Sequence, residues 1–108
     1  MTMQDRQLPI DREILRQLVA ATPDTWKQID YAVDVTWHEG YEDLYSDITS
    51  PEGHDPADAS VSAELSEATE RLLDLMKEYG LRLRTIRGHA WLDDQGRWMY
   101  KANFEYNP

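Results

Sequence analysis

The chain has 108 residues, of which 41% are hydrophobic and 30% are charged, and it contains no cysteine. This composition predicts one globular domain over residues 1–108. The absence of cysteine excludes a disulfide framework, a thiolate metal site and a cysteine nucleophile. No apolar run approaches the roughly 20 residues of a membrane span, and the first residues lack a signal-peptide pattern, so we expect a cytoplasmic protein.

Charge is distributed unevenly along the chain. Eleven Lys and Arg residues stand against 21 Asp and Glu residues, which gives a formal net charge of −10. Positions 28 to 70 hold twelve carboxylates and no Lys or Arg, whereas Arg71 to Lys101 holds seven basic and four acidic residues. A surface that is acidic only for solvation would intersperse the signs, so this pattern favours an electrostatic binding surface for a basic partner. A merely well-solvated acidic half is the alternative.

The first elements in the chain are a helix and a β-hairpin. Apolar residues at three- and four-residue spacing predict a helix from Pro9 to Ala21, which Pro23 limits. The stretch from Lys27 to Trp37 alternates as a half-buried strand does, and Gly40 supplies the positive φ of a two-residue turn. The predicted cross-strand pairs are Val35 with Leu44, Val33 with Ser46 and Tyr31 with Ile48.

A loop, a second helix and a second hairpin follow. Residues 49–61 contain two Pro, one Gly and no aliphatic run, which predicts one long, acidic and mobile loop. An apolar stripe predicts a helix from about Ser62 to Tyr79, with Gly80 at its C-terminal cap. A turn at residues 93–96 then pairs two strands. The predicted pairs are Leu92 with Trp98, Ala90 with Tyr100, Gly88 with Ala102 and Ile86 with Phe104.

The order α-β-β-α-β-β predicts an α+β fold, in which a four-stranded antiparallel sheet packs both helices on its apolar face. The polar face would be open, acidic at one end and basic to neutral at the other. Tyr45 and Trp91 fall on this polar face, where a large aromatic side chain has no core to fill. Exposed aromatics flanked by charge are typical anchors of protein interfaces. The alternative is that the N-terminal residues or the long loop cover them.

No sequence motif points to catalysis. His38, His54 and His89 lack metal-ligand spacing, and the chain has no nucleophile elbow, phosphate-binding glycine loop or dinucleotide fingerprint. We therefore expect no enzymatic activity, no metal and no cofactor.

The pattern resembles the YezG-like antitoxin or immunity proteins of bacterial polymorphic toxin systems. The resemblance covers roughly residues 10 to 106. It depends on Trp26 ahead of a strand with Tyr31, Val33 and Val35, and on the hairpin WLDDQGRW at 91–98 with the ending NFEY at 103–106. It implies an intracellular protein that binds and neutralises a cognate secreted toxin, often a nuclease, and it transfers no binding residues one by one.

An acidic sheet face and loop would suit the basic cleft of such a toxin. The predicted partner-binding residues are Asp30, Asp34, Asp43, Tyr45, Asp47, Glu52, Asp55, Asp58 and Trp91. We expect neither nucleic acid nor membrane as a partner, and a monomer or weak homodimer. Two other functions stay open: a nucleic-acid-mimicking regulator of a DNA- or RNA-binding protein, and a small enzyme that uses a carboxylate pair.

Overall fold

A computed structural model describes all residues 1–108 and contains two helices and four strands. The elements are α1 (Met3–Ala20), β1 (Gln28–His38), β2 (Tyr41–Thr49), α2 (Ala63–Glu78), β3 (Arg82–Leu92) and β4 (Trp98–Asn107), with a 3₁₀ turn at Pro56–Asp58. The strands form one open antiparallel sheet in the order β2-β1-β3-β4. The predicted α+β fold is confirmed. Neither helix combines the length and the apolar character needed to cross a membrane.

Both predicted hairpin registers are confirmed. In the first hairpin, Val35 lies opposite Leu44 and Gly40 has a φ of +87°. In the second, Ala90 lies opposite Tyr100, and the N–H of Gly96 donates to the Asp93 carbonyl at 3.0 Å. Each register follows from turn geometry and from the coincidence of two apolar faces.

The two hairpins join through β1 and β3. These central strands pair antiparallel, so that Asp30 lies opposite His89, Asp34 opposite Thr85 and Gln28 opposite Trp91. No turn links β1 directly to β3. The register between these two strands is therefore set by how both hairpins pack against the helices in one core. It decides which side chains meet on the polar face.

The helices begin at capping residues. The Ser62 hydroxyl accepts from the Leu65 N–H at 3.1 Å and starts α2 as predicted. Helix α1 begins at Met3, before the predicted start at Pro9, because Thr2 and Asp5 form a capping box. The prediction was wrong here because residues 3–8 show little apolar periodicity. Pro9 is therefore inside α1.

The core lies between the helices and one face of the sheet. Its largest buried side chains include Trp26 and Tyr31, which are each 1% exposed. The N-terminal residues belong to α1 and lie on this core side, where Arg6 pairs with Glu78 of α2 and Leu8 lies beside Phe104, so they do not cover the polar face. That face carries no other element and is open to solvent.

Candidate protein-binding surface

The sheet face directed away from both helices, called the open face below, carries side chains from all four strands. They are Tyr41, Asp43, Tyr45, Asp47 and Thr49 on β2, Gln28, Asp30, Ala32, Asp34 and Thr36 on β1, Thr85, Arg87, His89 and Trp91 on β3, and Met99, Lys101, Asn103 and Glu105 on β4. Carboxylates concentrate on β2 and β1, and basic groups on β3 and β4. The face therefore has an acidic side and a basic-to-neutral side, in agreement with the predicted gradient.

The centre of the open face is occupied by an ion pair between Asp34 and Arg87 and by a hydrogen-bonding contact between Asp30 and His89. Asp30 Oδ1 lies 2.7 Å from His89 Nδ1, and Asp34 Oδ1 lies 3.0 Å from Arg87 Nη2. Arg87 is held further by a hydrogen bond from Nη1 to the Val33 carbonyl at 3.1 Å. Pairs that are half exposed, as these are, contribute little to stability. Their effect is to satisfy Asp30 and Asp34 internally, so the predicted acidic surface does not extend over the centre.

Exposed acidic and aromatic groups lie along β2. Tyr45 is 70% exposed, and the exposed Asp47 side chain makes neither an ion pair nor a hydrogen bond. Asp43 Oδ2 lies 2.9 Å from His38 Nε2, and the His38 ring stacks on Tyr41 at 4.6 Å between centroids. The prediction of Asp43, Tyr45 and Asp47 as a shared surface is therefore consistent with their placement on one strand face.

β2 is also an outer strand of the sheet, so its outward backbone N–H and C=O groups have no strand partner. On the core side, β2 adjoins α2, where Glu70 lines a small cleft together with Leu44 and Ser46. The acidic surface thus continues around the strand onto the helix. We call this surface the β2 margin and define it by Tyr41, Asp43, Tyr45, Asp47 and Glu70.

The acidic residues of the long loop lie away from the β2 margin, at the start of β1 and around the 3₁₀ turn. Glu52 Oε1 accepts from the N–H groups of Lys27 at 2.7 Å and Gln28 at 3.0 Å. These bonds lower the pKa of Glu52, the Lys27 bond most strongly. Asp55 accepts from the Ala57 N–H at 3.0 Å and starts the 3₁₀ turn, whereas Asp58 is exposed and its side chain has no partner. The loop is thus pinned to the start of β1.

Trp91 lies at the far end of the open face from Asp43. It is half-buried and stacks on His89 with 5.5 Å between ring centroids, and Gln28 is its neighbour on β1. Gln28 lies eight residue steps along β1 from Thr36, the neighbour of Asp43, which corresponds to about 27 Å. The nine predicted residues therefore do not form one surface. Asp43, Tyr45 and Asp47 share β2, and Asp30 and Asp34 are paired at the centre of the open face. Trp91 and Glu52 lie at the start of β1, and Asp55 and Asp58 belong to the loop.

Sequence reasoning missed two members of the β2 margin. Tyr41 precedes Asp43 and Tyr45 at even spacing, so the strand alternation contained the signal for it. Glu70 carried no such signal, because the sequence does not say which strand lies next to the exposed side of α2.

Other chemistry-bearing groups are few. No group of three or more His, Asp, Glu or Cys side chains is placed to hold a metal ion. Among the carboxyl groups, only Asp11 has a clearly raised pKa, which results from burial, and no second carboxylate lines the groove in which it lies.

Comparison with known proteins assigns neither a family nor a function to the chain. No protein-family model matches the chain, and no curated protein matches it.

Proposed function

We propose that this protein is an immunity protein that binds and neutralises a cognate toxin of a bacterial polymorphic or contact-dependent system. The toxin would be a basic domain, with a nuclease as the first expectation, and neutralisation would take place in the bacterial cytoplasm. The observation that carries the proposal is the β2 margin, where exposed carboxylates that contact no Lys or Arg flank exposed tyrosines on a strand with one free edge.

The charge of the β2 margin supports a basic partner. Asp47 and Glu70 have no internal cation, and Asp43 contacts only a histidine. Like the −10 net charge of the whole chain, these groups attract a positively charged surface and speed its encounter. Fast capture matters for an inhibitor whose target is lethal when free.

The tyrosines of the β2 margin favour slow dissociation of a bound partner. Tyr45 and Tyr41 are 70% and 57% exposed, so each has a large surface to bury against a partner. Tyrosine is enriched among the residues that dominate binding energy, because it combines a rigid apolar ring with a hydroxyl. The nine residues of β2 extend about 30 Å, which is long enough for one side of a standard interface.

The proposal is tested by toxin inhibition in living cells. A candidate toxic domain from a neighbouring gene is expressed with the wild-type protein, and growth is measured. We expect the wild type to restore growth and the double variant Asp43→Lys/Asp47→Lys to fail at matched expression. The control, Asp24→Lys/Asp94→Lys, makes the same charge change at two exposed positions outside the β2 margin and should restore growth.

Two outcomes would overturn the proposal at different levels. Absence of protection by the wild type would reject the immunity function. Protection by the β2 variant equal to that of the control would reject the β2 margin as the binding surface. Circular dichroism and thermal unfolding of both variants are measured to test that each keeps its fold.

A further inference from the structure

A groove lies between α1 and β4, on the side of the molecule opposite β2. Its volume is about 280 Å³, and most of its lining is apolar. The walls include Leu8 and Leu15 from α1, and Trp98 and Phe104 from β4. A second cleft, which shares Leu8 and Phe104 with the first, extends the groove towards the start of α1. Concave, mainly apolar surfaces with few polar groups are typical of small-molecule sites.

The carboxylate of Asp11 lies within this apolar lining and is incompletely paired. Its Oδ2 accepts from Gln7 Nε2 at 3.2 Å, whereas its Oδ1 is buried and has no hydrogen-bond partner. Arg12 also lines the groove but forms no ion pair with Asp11, since consecutive helix residues do not face each other. Buried polar atoms without a partner are rare in proteins, and each one calls for an explanation.

Tyr100 adds a second polar group to the same groove. Its ring packs over Gly88, and its hydroxyl makes no hydrogen bond within the protein. Burial raises the pKa of Tyr100, and the nearby charge of Asp11 raises it further. The phenol therefore stays protonated and can donate. The lining of the groove thus includes two residues, Asp11 and Tyr100, that each have an oxygen atom without a hydrogen-bond partner in the protein, and the other walls are mainly apolar.

We propose that the groove binds a small organic ammonium ion with an apolar body about the size of one aromatic ring. The ammonium group would pair with the carboxylate of Asp11, whose side chain must rotate to expose Oδ1 to the groove, and the body would contact Leu8, Leu15 and Phe104. A cation is the matching chemistry because a buried carboxylate gains most from a charge-assisted hydrogen bond. The site is independent of the β2 margin and of the proposed immunity function.

The test is a titration of the isotope-labelled protein followed by two-dimensional NMR. The probes are phenethylamine, 2-phenylethanol and phenylacetate, which share a ring and differ in charge. Phenethylamine should shift amide signals of α1 and β4 around the groove with a Kd of about 1 mM, as its small size permits. The uncharged alcohol should bind roughly tenfold more weakly, and the anion more weakly still.

Two variants separate binding at Asp11 from general hydrophobic association. Asp11→Asn should remove the preference for the amine over the alcohol. The matched control Glu13→Gln removes the same charge from the same helix, at a side chain that pairs with Gln17 and Arg16 outside the groove, and should keep the preference. The proposal is overturned by equal affinity of the wild type for amine and alcohol, by a preference that survives Asp11→Asn, by shifts centred outside the groove, or by no shift at about 10 mM amine.

Discussion

The two outer strands of the sheet, β2 and β4, have different neighbours. β4 runs beside α1, and Tyr100 and Phe104 pack from it against the core. β2 directs Asp43, Tyr45 and Asp47 to solvent and contacts α2 through the ion pair of Glu42 with Lys77. Both outer strands pack their inner side chains on the core, Ile48 on β2 and Phe104 on β4, and the open-face residues of each can change with little loss of packing. Only on β2 do these open-face residues combine carboxylates with two exposed tyrosines, which favours β2 as the binding strand.

The largest expected effect comes from Gly88, on which the β4 side depends. A Cβ at this position would lie 2.6 Å from the Tyr100 hydroxyl oxygen and 2.9 Å from its Cε1. Gly88→Ala should therefore lower the free energy of unfolding by about 1–3 kcal/mol, measured by urea denaturation. In a Tyr100→Leu background the same change should cost less, since the clashing ring is absent. Equal stability of Gly88→Ala and the wild type would contradict this packing.

The next prediction concerns Tyr45, on the β2 side. Tyr45→Ala should weaken binding of the partner about tenfold or more, because it removes an exposed aromatic anchor. Its unfolding free energy should stay within about 0.5 kcal/mol of the wild type. The control Met99→Ala truncates an exposed apolar side chain on β4 and should leave the affinity unchanged. Calorimetric titration measures the affinity of both variants for the partner. Similar losses of affinity for the two variants would contradict the assignment of binding to β2 rather than β4.

A smaller effect is expected at Asp11, in the groove beside β4. Burial raises the pKa of Asp11, so its ionised form destabilises the folded state. This penalty is absent below the unfolded pKa, near 3.8, and is complete above the raised folded pKa. Asp11→Asn should raise the unfolding free energy by up to about 1 kcal/mol at pH 7 and have no such benefit near pH 3. Thermal unfolding across pH measures the difference; a variant less stable than the wild type at pH 7 would contradict it.

The smallest expected effect concerns Glu52, in the loop that leaves β2. Its carboxylate accepts two backbone N–H groups at the start of β1, which lower its pKa. The stabilisation is present above the unfolded pKa, near 4.5, and is lost as the pH falls through the lower folded pKa. Glu52→Gln should lower the unfolding midpoint slightly at pH 7 and flatten its decline in acid. Asp58→Asn, at an exposed loop residue with no partner, is the control that should change neither.

The sequence was sufficient for those parts of the fold that local chemistry determines. Turn residues such as Gly40 and Gly96, together with strand alternation, predicted both hairpin registers. The contact between the hairpins was not predictable, because no turn sets the register of β1 against β3. For that reason the pairing of Asp34 with Arg87 was missed, and both central aspartates were expected to be free.

In the candidate site too, local spacing predicted some residue positions, whereas contacts between distant parts of the chain were not predictable. Alternation along β2 placed Tyr45 and Asp47 correctly on the open face, since only local spacing is needed. The role of Glu52 depends on backbone groups 25 residues earlier in the chain, and that contact left no pattern in the sequence. The β2 margin is therefore the part of the predicted surface on which the proposed function depends.

The measurement that tests the central claim most directly is a quantitative pull-down from the source lysate at low and high salt, read by mass spectrometry. The tagged baits are the wild type, Asp43→Lys/Asp47→Lys and Asp24→Lys/Asp94→Lys. We predict one stoichiometric basic protein on the wild type and on the control, reduced at high salt and lost from the β2 variant. Equal capture of that protein by all three baits, or no basic partner at either salt, would contradict the account.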